Sequence, residues 1–217
     1  MTSSYRTLAG RVRVEPERIR GSRHIATVAP VPDEAAARQL LAEVRAELHE
    51  ADHHAYAWRL GPDGARVRSS DDGEPGGSAG RPILAVLEGR GLTQVVAVVS
   101  RIFGGTRLGV GGLVRAYGGA AAAALDAAEV VEVVPSRRLE VRVAWGDVGA
   151  VEALLAAESL EPLQRCFDDG VRFVVEVAEA DIGRFVTSLS DRSLGRAAVS
   201  SPGDRPGDGP LRSRPTA

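Results

Sequence analysis

Gly76, Ser78 and Gly80 form a G-x-S-x-G pattern inside the stretch DDGEPGGSAGRP, residues 71–82, and that spacing raises the chemistry of an activated serine nucleophile. A nucleophile elbow needs a strand running directly into its first glycine and a helix leaving its last, whereas Gly73-Glu74-Pro75 precedes this one. The α/β-hydrolase order also needs a histidine after the serine, and His24, His49, His53 and His54 all precede Ser78. The order His54, Asp71 or Asp72, Ser78 matches a chymotrypsin-like layout, but the chain lacks the many strands of such a barrel. Ser78 is therefore expected not to be catalytic, and a binding protein is expected in place of a serine hydrolase.

The same stretch offers a second chemistry. Asp71, Asp72 and Glu74 place three carboxylates within four residues, a cluster suited to Mg²⁺, to arginine partners or simply to water. Arginines come from SRIFGGTRLGVGGLVRAYGG, residues 100–119, because Gly89 to Leu125 carries Arg90, Arg101, Arg107 and Arg115 and no acid. Gly104, Gly105, Gly109, Gly111 and Gly112 let the backbone approach a ligand closely and lead into a helix N-terminus, where free N–H groups favour an anion. Arg115, expected in the first turn of that helix, opposes the macrodipole unless an anion sits nearby. Arg101, Arg107 and Arg115 are thus expected to converge on an anion site facing the acidic loop, with His53, Ser78, Arg81 and Phe103 as neighbours. The alternative is that the three carboxylates pair with these arginines and only lock the two loops together.

Other residues are read more plainly. His53 and His54 are adjacent and face opposite sides of a strand, so they cannot easily share one metal. Cys166 reads as a small hydrophobe, and Trp58, Trp145 and Tyr117 as core; Phe103, in the glycine loop, is placed to stack on a base. All 27 basic residues are arginine, which excludes a Walker A loop and a Schiff-base mechanism, both of which need lysine. No G-x-G-x-x-G is present, so a Rossmann fingerprint is also excluded. A net charge of −2 gives no global attraction to nucleic acid or membrane, so any such contact must be local. One cysteine, no apolar signal core and no membrane-length apolar run lead to the expectation of a cytoplasmic protein.

The elements that must position these residues follow from pattern. Tyr5 to Val14 and Arg23 to Ala29 read as strands, and a helix capped by Asp33 follows with Ala37, Leu40, Leu41, Val44 and Leu48 on one face and a Glu34–Arg38 pair on another. Ala55 to Leu60 and Ala65 to Ser69 form a hairpin, then come a short helix near Pro82 to Leu87, the strand Val95 to Val99, and a long helix from about Gly112 to Ala128. From Pro135 the pattern changes to βαββαβ, with a helix capped by Asp147, a hairpin at Asp168-Asp169-Gly170 and a last strand near Leu194 to Val199: a ferredoxin-like arrangement. The fold class is α+β, with a first domain over residues 1–133, a second over 136–200, and a disordered Pro/Gly/charge tail at 201–217.

The stretches RGSRHIA (20–26), DHHAYAW (52–58), SSDDGEPGGSAGRPIL (69–84) and SRIFGGTRLGVGGLVRAYGGA (100–120) resemble the YigZ family, bacterial relatives of the eukaryotic IMPACT translation regulator. The resemblance spans about residues 1–130, with the second domain similar to the accessory ferredoxin-like domain of the same proteins. It implies a first domain with the fold shared by a small-subunit ribosomal protein, part of elongation factor G and small-molecule kinases, and a role in translation through contact with RNA or the ribosome. Ser78 corresponds to either serine or threonine in that family, which again argues against a nucleophile. Ile102 stands where an aromatic is usual and Ala55 where cysteine is common. The Asp, Asp, His, Glu, Glu ligand order of a proline dipeptidase, a label given to some relatives, is not recognisable here. The rival expectation is an enzyme acting on a phosphorylated small molecule in the same groove, with Mg²⁺ on the acidic loop and the arginines on the phosphate.

Overall fold

In the computed structural model, residues 4–200 are described; the expected tail at 201–217 lies outside them. The chain divides into two compact units, one formed by Tyr5–Glu132 and the other beginning at Val133.

The first unit opens with β1 (Tyr5–Leu8), β2 (Val12–Val14), β3 (Arg23–Pro30) and α1 (Glu34–Glu47). Then follow β4 (His53–Leu60), β5 (Arg66–Ser70), α2 (Gly80–Gly89), β6 (Val95–Ile102), α3 (Val110–Asp126) and β7 (Val130–Val133). Five strands make one antiparallel sheet in the order β2-β3-β6-β4-β5. Its central strand β6 is buried on both faces, which is why its sequence is a run of valines instead of an alternation. Val95, Ala97 and Val99 pack under α2 and α3 with Ile83, Leu113 and Tyr117, while Val96 and Val98 pack under α1 with Leu41, Val44 and Trp58. The result is three layers, helix on sheet on helix.

α1 forms as its pattern predicts: the Asp33 carboxylate accepts from Ala36 N at 2.8 Å, Glu34 pairs with Arg38, and Ala37, Leu40, Leu41 and Val44 are buried. The segment 5–14 differs from the single strand expected. It breaks at Ala9-Gly10-Arg11, β1 joins β7 in a two-stranded sheet, and β2 joins the large sheet. Ala9 N donates to Glu129 O at 2.9 Å, so the start and end of the unit are tied by a pairing that no local pattern announces.

The second unit runs β8 (Ser136–Val143), α4 (Val148–Ala157), β9 (Gln164–Phe167), β10 (Val171–Ala178), α5 (Ile182–Ser193) and β11 (Ala198–Ser200). Its antiparallel sheet has the order β11-β8-β10-β9, consistent with a ferredoxin-like unit. Alternate residues Leu139, Val141 and Val143 of β8 and Val171, Phe173, Val175 and Val177 of β10 face Leu154, Leu155, Phe185 and Leu189 in one core. Asp147 does not cap α4 as expected: its side chain makes no cap bond and is instead held by Arg196 at 2.6 Å. The last strand starts later than expected because Leu194 takes a left-handed conformation, φ 51°, and ends α5. Among the described residues no helix is long and apolar enough to cross a membrane.

Candidate functional site

The site grows from one row of residues across the large sheet. Arg101 on β6 lies opposite His24 on β3 and opposite His53 on β4, and paired residues share a face of the sheet. Arg101 is only 6 % exposed. Its Nη1 donates to Glu74 Oε1 at 2.8 Å, and the same carboxylate oxygen accepts from the Tyr117 hydroxyl of α3 at 2.7 Å. Nη2 reaches Ser22 Oγ at 3.4 Å, Nε has no hydrogen-bond partner, and the guanidinium carbon lies 5.4 Å from the centre of the Phe103 ring. His24 meets Tyr117 edge-on with ring centres 5.3 Å apart. Burial first, and then the charge of Arg101, hold its imidazole down to about 4 against the opposing pull of Glu74. Burial, reinforced by the bond to Glu74, pushes the Tyr117 phenol up.

The three carboxylates of the acidic loop go to three separate partners. Glu74 takes Arg101. Asp72 accepts from His54 N at 2.7 Å and pairs with Arg45 at 2.6 Å. Asp71 accepts from Gly77 N, Ala79 N and Gly80 N at 2.8–2.9 Å; burial alone would raise its carboxyl, but these three N–H groups hold it below the usual range. One member of the loop thus pairs with the expected arginines, and among the described residues no three His, Cys, Asp or Glu side chains gather as a metal ligand set. Ser78 is fully buried, and its hydroxyl donates to Pro75 O at 2.6 Å, while His53 and His54 bond Asp72 and Ser100 instead. His53 Nδ1 lies 2.8 Å from Asp72 O, so it carries the hydrogen, while His54 turns the other way to Ser100 Oγ at 2.9 Å.

Above this row opens a pocket of about 600 Å³. Arg101, Arg107, Gly109, Glu74, His53 and Phe103 line it, joined by Asp52, Gly73, Pro75, Leu108, Val110 and Leu113. Asp52 accepts from Phe103 N at 2.8 Å and so fixes the glycine loop at its start. Gly104 follows because a Cβ there would sit 1.9 Å from the carbonyl carbon of Gly21, and its N–H bonds Ser22 Oγ at 3.1 Å. Gly109 has φ 72°, a left-handed conformation that a side chain resists, and it ends the loop as the N-cap of α3 with no side-chain cap bond. The first N–H groups of α3 therefore remain for a ligand. Val110 begins the helix, so Gly111 and Gly112 lie in its first turn and Arg115 falls in its second, one turn later than expected. Arg107 and Arg115 are exposed, and neither has a carboxylate partner among the described residues. Arg115, Arg81, Gly104, Gly105, Gly111, Gly112, Asp71, Asp72 and Ser78 stand outside the pocket lining.

Sequence reading missed His24, Ser22, Asp52 and the polar role of Tyr117. The signal that finds His24 and His53 is strand register, which sets both beside Arg101.

The fold and this pocket define an α+β protein of two antiparallel-sheet units, the first carrying an arginine-floored pocket at a glycine loop. Residues 20–125 match the model of the Impact N-terminal domain. The chain is 43 % identical over 182 residues to "IMPACT family member in pol 5'region" of Thermus thermophilus, covering 83 % of this chain and 98 % of the relative. It is 36 % identical to "IMPACT family member YigZ" of Escherichia coli, covering 82 % and 89 %. A crystal structure of a hypothetical protein aligns with a TM-score of 0.67 at 34 % identity, covering 94 % of this chain and all of that one. The chain belongs to the IMPACT family.

Proposed function

We propose that this protein binds RNA of the translation apparatus through the pocket between the acidic and glycine loops. The observation that carries the reading is Arg107: exposed, without a carboxylate partner among the described residues, and lining a pocket whose buried wall is Arg101 and whose rim is the uncapped start of α3. A phosphate oxygen is the acceptor that such donors fit. The fold kinship of the first domain with a ribosomal protein and elongation factor G, implied by the family resemblance, supports the same partner. Filter binding of RNA and of ribosomal particles against salt tests it. Arg107→Glu is expected to weaken binding at least tenfold, Arg115→Glu less because it stands outside the lining, and neither is expected to shift the melting temperature by more than a degree or two, since both side chains are exposed. A wild-type protein that binds no RNA at low salt overturns the reading.

A second reading, a phosphorylated small molecule, is favoured by the volume, because about 600 Å³ falls within the roughly 300–1,000 Å³ of pockets that enclose a compact ligand. Metabolite binding that RNA does not displace would select it.

A further inference from the structure

The charges around the pocket fit one phosphate better than a run of them. Proteins that track a single strand use a continuous basic groove, yet Arg11, Arg13, Arg23, Arg38, Arg45 and Arg90 of the first unit each sit against a carboxylate, and of the arginines without one only Arg107 lines the pocket. Within the lining, Arg101 and Arg107 are balanced by Asp52 and Glu74. Attraction at this site therefore comes from a few individual donors rather than from a broad field. Three kinds of donor are unused: the Nε of Arg101, which is buried and without a partner; the Arg107 guanidinium; and the N–H groups that open α3. Gly109, which caps that helix and lines the pocket, carries no Cβ to hold an anion away. Beside these donors Phe103 is 46 % exposed while Arg101 lies over its ring, so apolar ring surface remains for a base.

Resting on the RNA reading above, we propose that the pocket takes a single nucleoside monophosphate unit, the phosphate-bearing end of an RNA strand, with its base on Phe103 and its phosphate on Arg101 Nε, Arg107 and the start of α3. A terminal phosphomonoester presents three acceptor oxygens and close to two negative charges, whereas an internal phosphodiester has one charge and must leave the pocket in both directions. A free nucleotide shares this chemistry, and the experiment separates the two sources.

Fluorescence-anisotropy titrations of the full chain would compare short RNA oligomers ending in 5′-phosphate, 3′-phosphate or hydroxyl only, with uridine and adenosine monophosphates as competitors. Removal of one terminal phosphate is expected to weaken binding about tenfold or more, and the monophosphates are expected to compete fully. The slope of log K against log salt is expected near −0.7 to −1.4, the value for roughly one or two phosphates of a single strand, against about −4 for six. Phe103→Ala is expected to weaken mononucleotide binding about tenfold and leave inorganic phosphate competition unchanged; Arg107→Gln is expected to weaken both. Both residues are exposed, so these variants fold if the melting curve is unchanged. If RNA binds with affinity that rises with oligomer length and ignores its ends, the inference falls while the RNA reading stands. If mononucleotides bind and RNA does not, the RNA reading falls and the nucleotide pocket stands. If neither binds, both fall.

Discussion

His24 is 2 % exposed, and neither of its ring nitrogens has a hydrogen-bond partner. It stays neutral because burial and the facing Arg101 outweigh the attraction of Glu74. The ordinary value of 6.5 falls to about 4 in the folded chain, so below pH 6.5 the unfolded chain binds a proton that the folded chain refuses. Stability is full above pH 6.5 and is lost as the pH falls towards 4, by up to roughly 3 kcal/mol over the window. His54, lowered chiefly by its burial, acts in the same direction. Urea denaturation at pH 7.5, 6 and 5 is expected to show this loss, and His24→Phe is expected to flatten it; a wild-type profile without slope would contradict the assignment. At this scale the sequence pointed to Arg101, Arg107, Glu74 and Phe103 through their loops, and all four meet at the pocket. It passed over His24, because RGSRHIA reads only as a strand until its register against β6 is known.

Helix starts show where local pattern suffices and where it does not. Asp33 was legible as a cap because its acceptor oxygen lies three residues from the N–H it serves. α2 has Ala79 as its N-cap, which offers no side-chain oxygen, and Asp71 supplies the acceptor from eight and nine residues upstream. No spacing rule covers that distance, so Asp71 read instead as part of an acidic cluster. Asp147 shows the reverse: its position invites a cap, and Arg196, brought back by α5, takes the carboxylate. Asp71→Ala is expected to leave three N–H groups without their acceptor and to cost about 1–3 kcal/mol, lowering the melting temperature measured by circular dichroism. Asp72→Ala, which releases a half-exposed pair with Arg45 and one backbone bond, is expected to cost less. Equal effects of the two would remove Asp71 from the capping role.

Among the described residues separate apolar cores form before and after Val133–Pro135 along the sequence, and the element pattern changes at Pro135. Limited proteolysis is expected to cut near residues 133–138, and a fragment of residues 1–133 is expected to give the circular dichroism of a folded α+β protein; an unfolded fragment would refute independent folding. The two-stranded β1–β7 sheet, which joins the unit's first and last strands, is the part that such a fragment needs intact. The position of β6 has a consequence in time. It lies between β3 and β4, yet it follows both along the chain, with β5 and α2 separating it from β4, and α1 as well separating it from β3. During synthesis the β4–β5 hairpin can close at once over its short turn, but β3 and β4 wait for the central strand with their inner edges unpaired. Loop closure over that distance must come before the valine run rewards it, so the nascent first unit stays open to aggregation until Val95–Ile102 has left the ribosome.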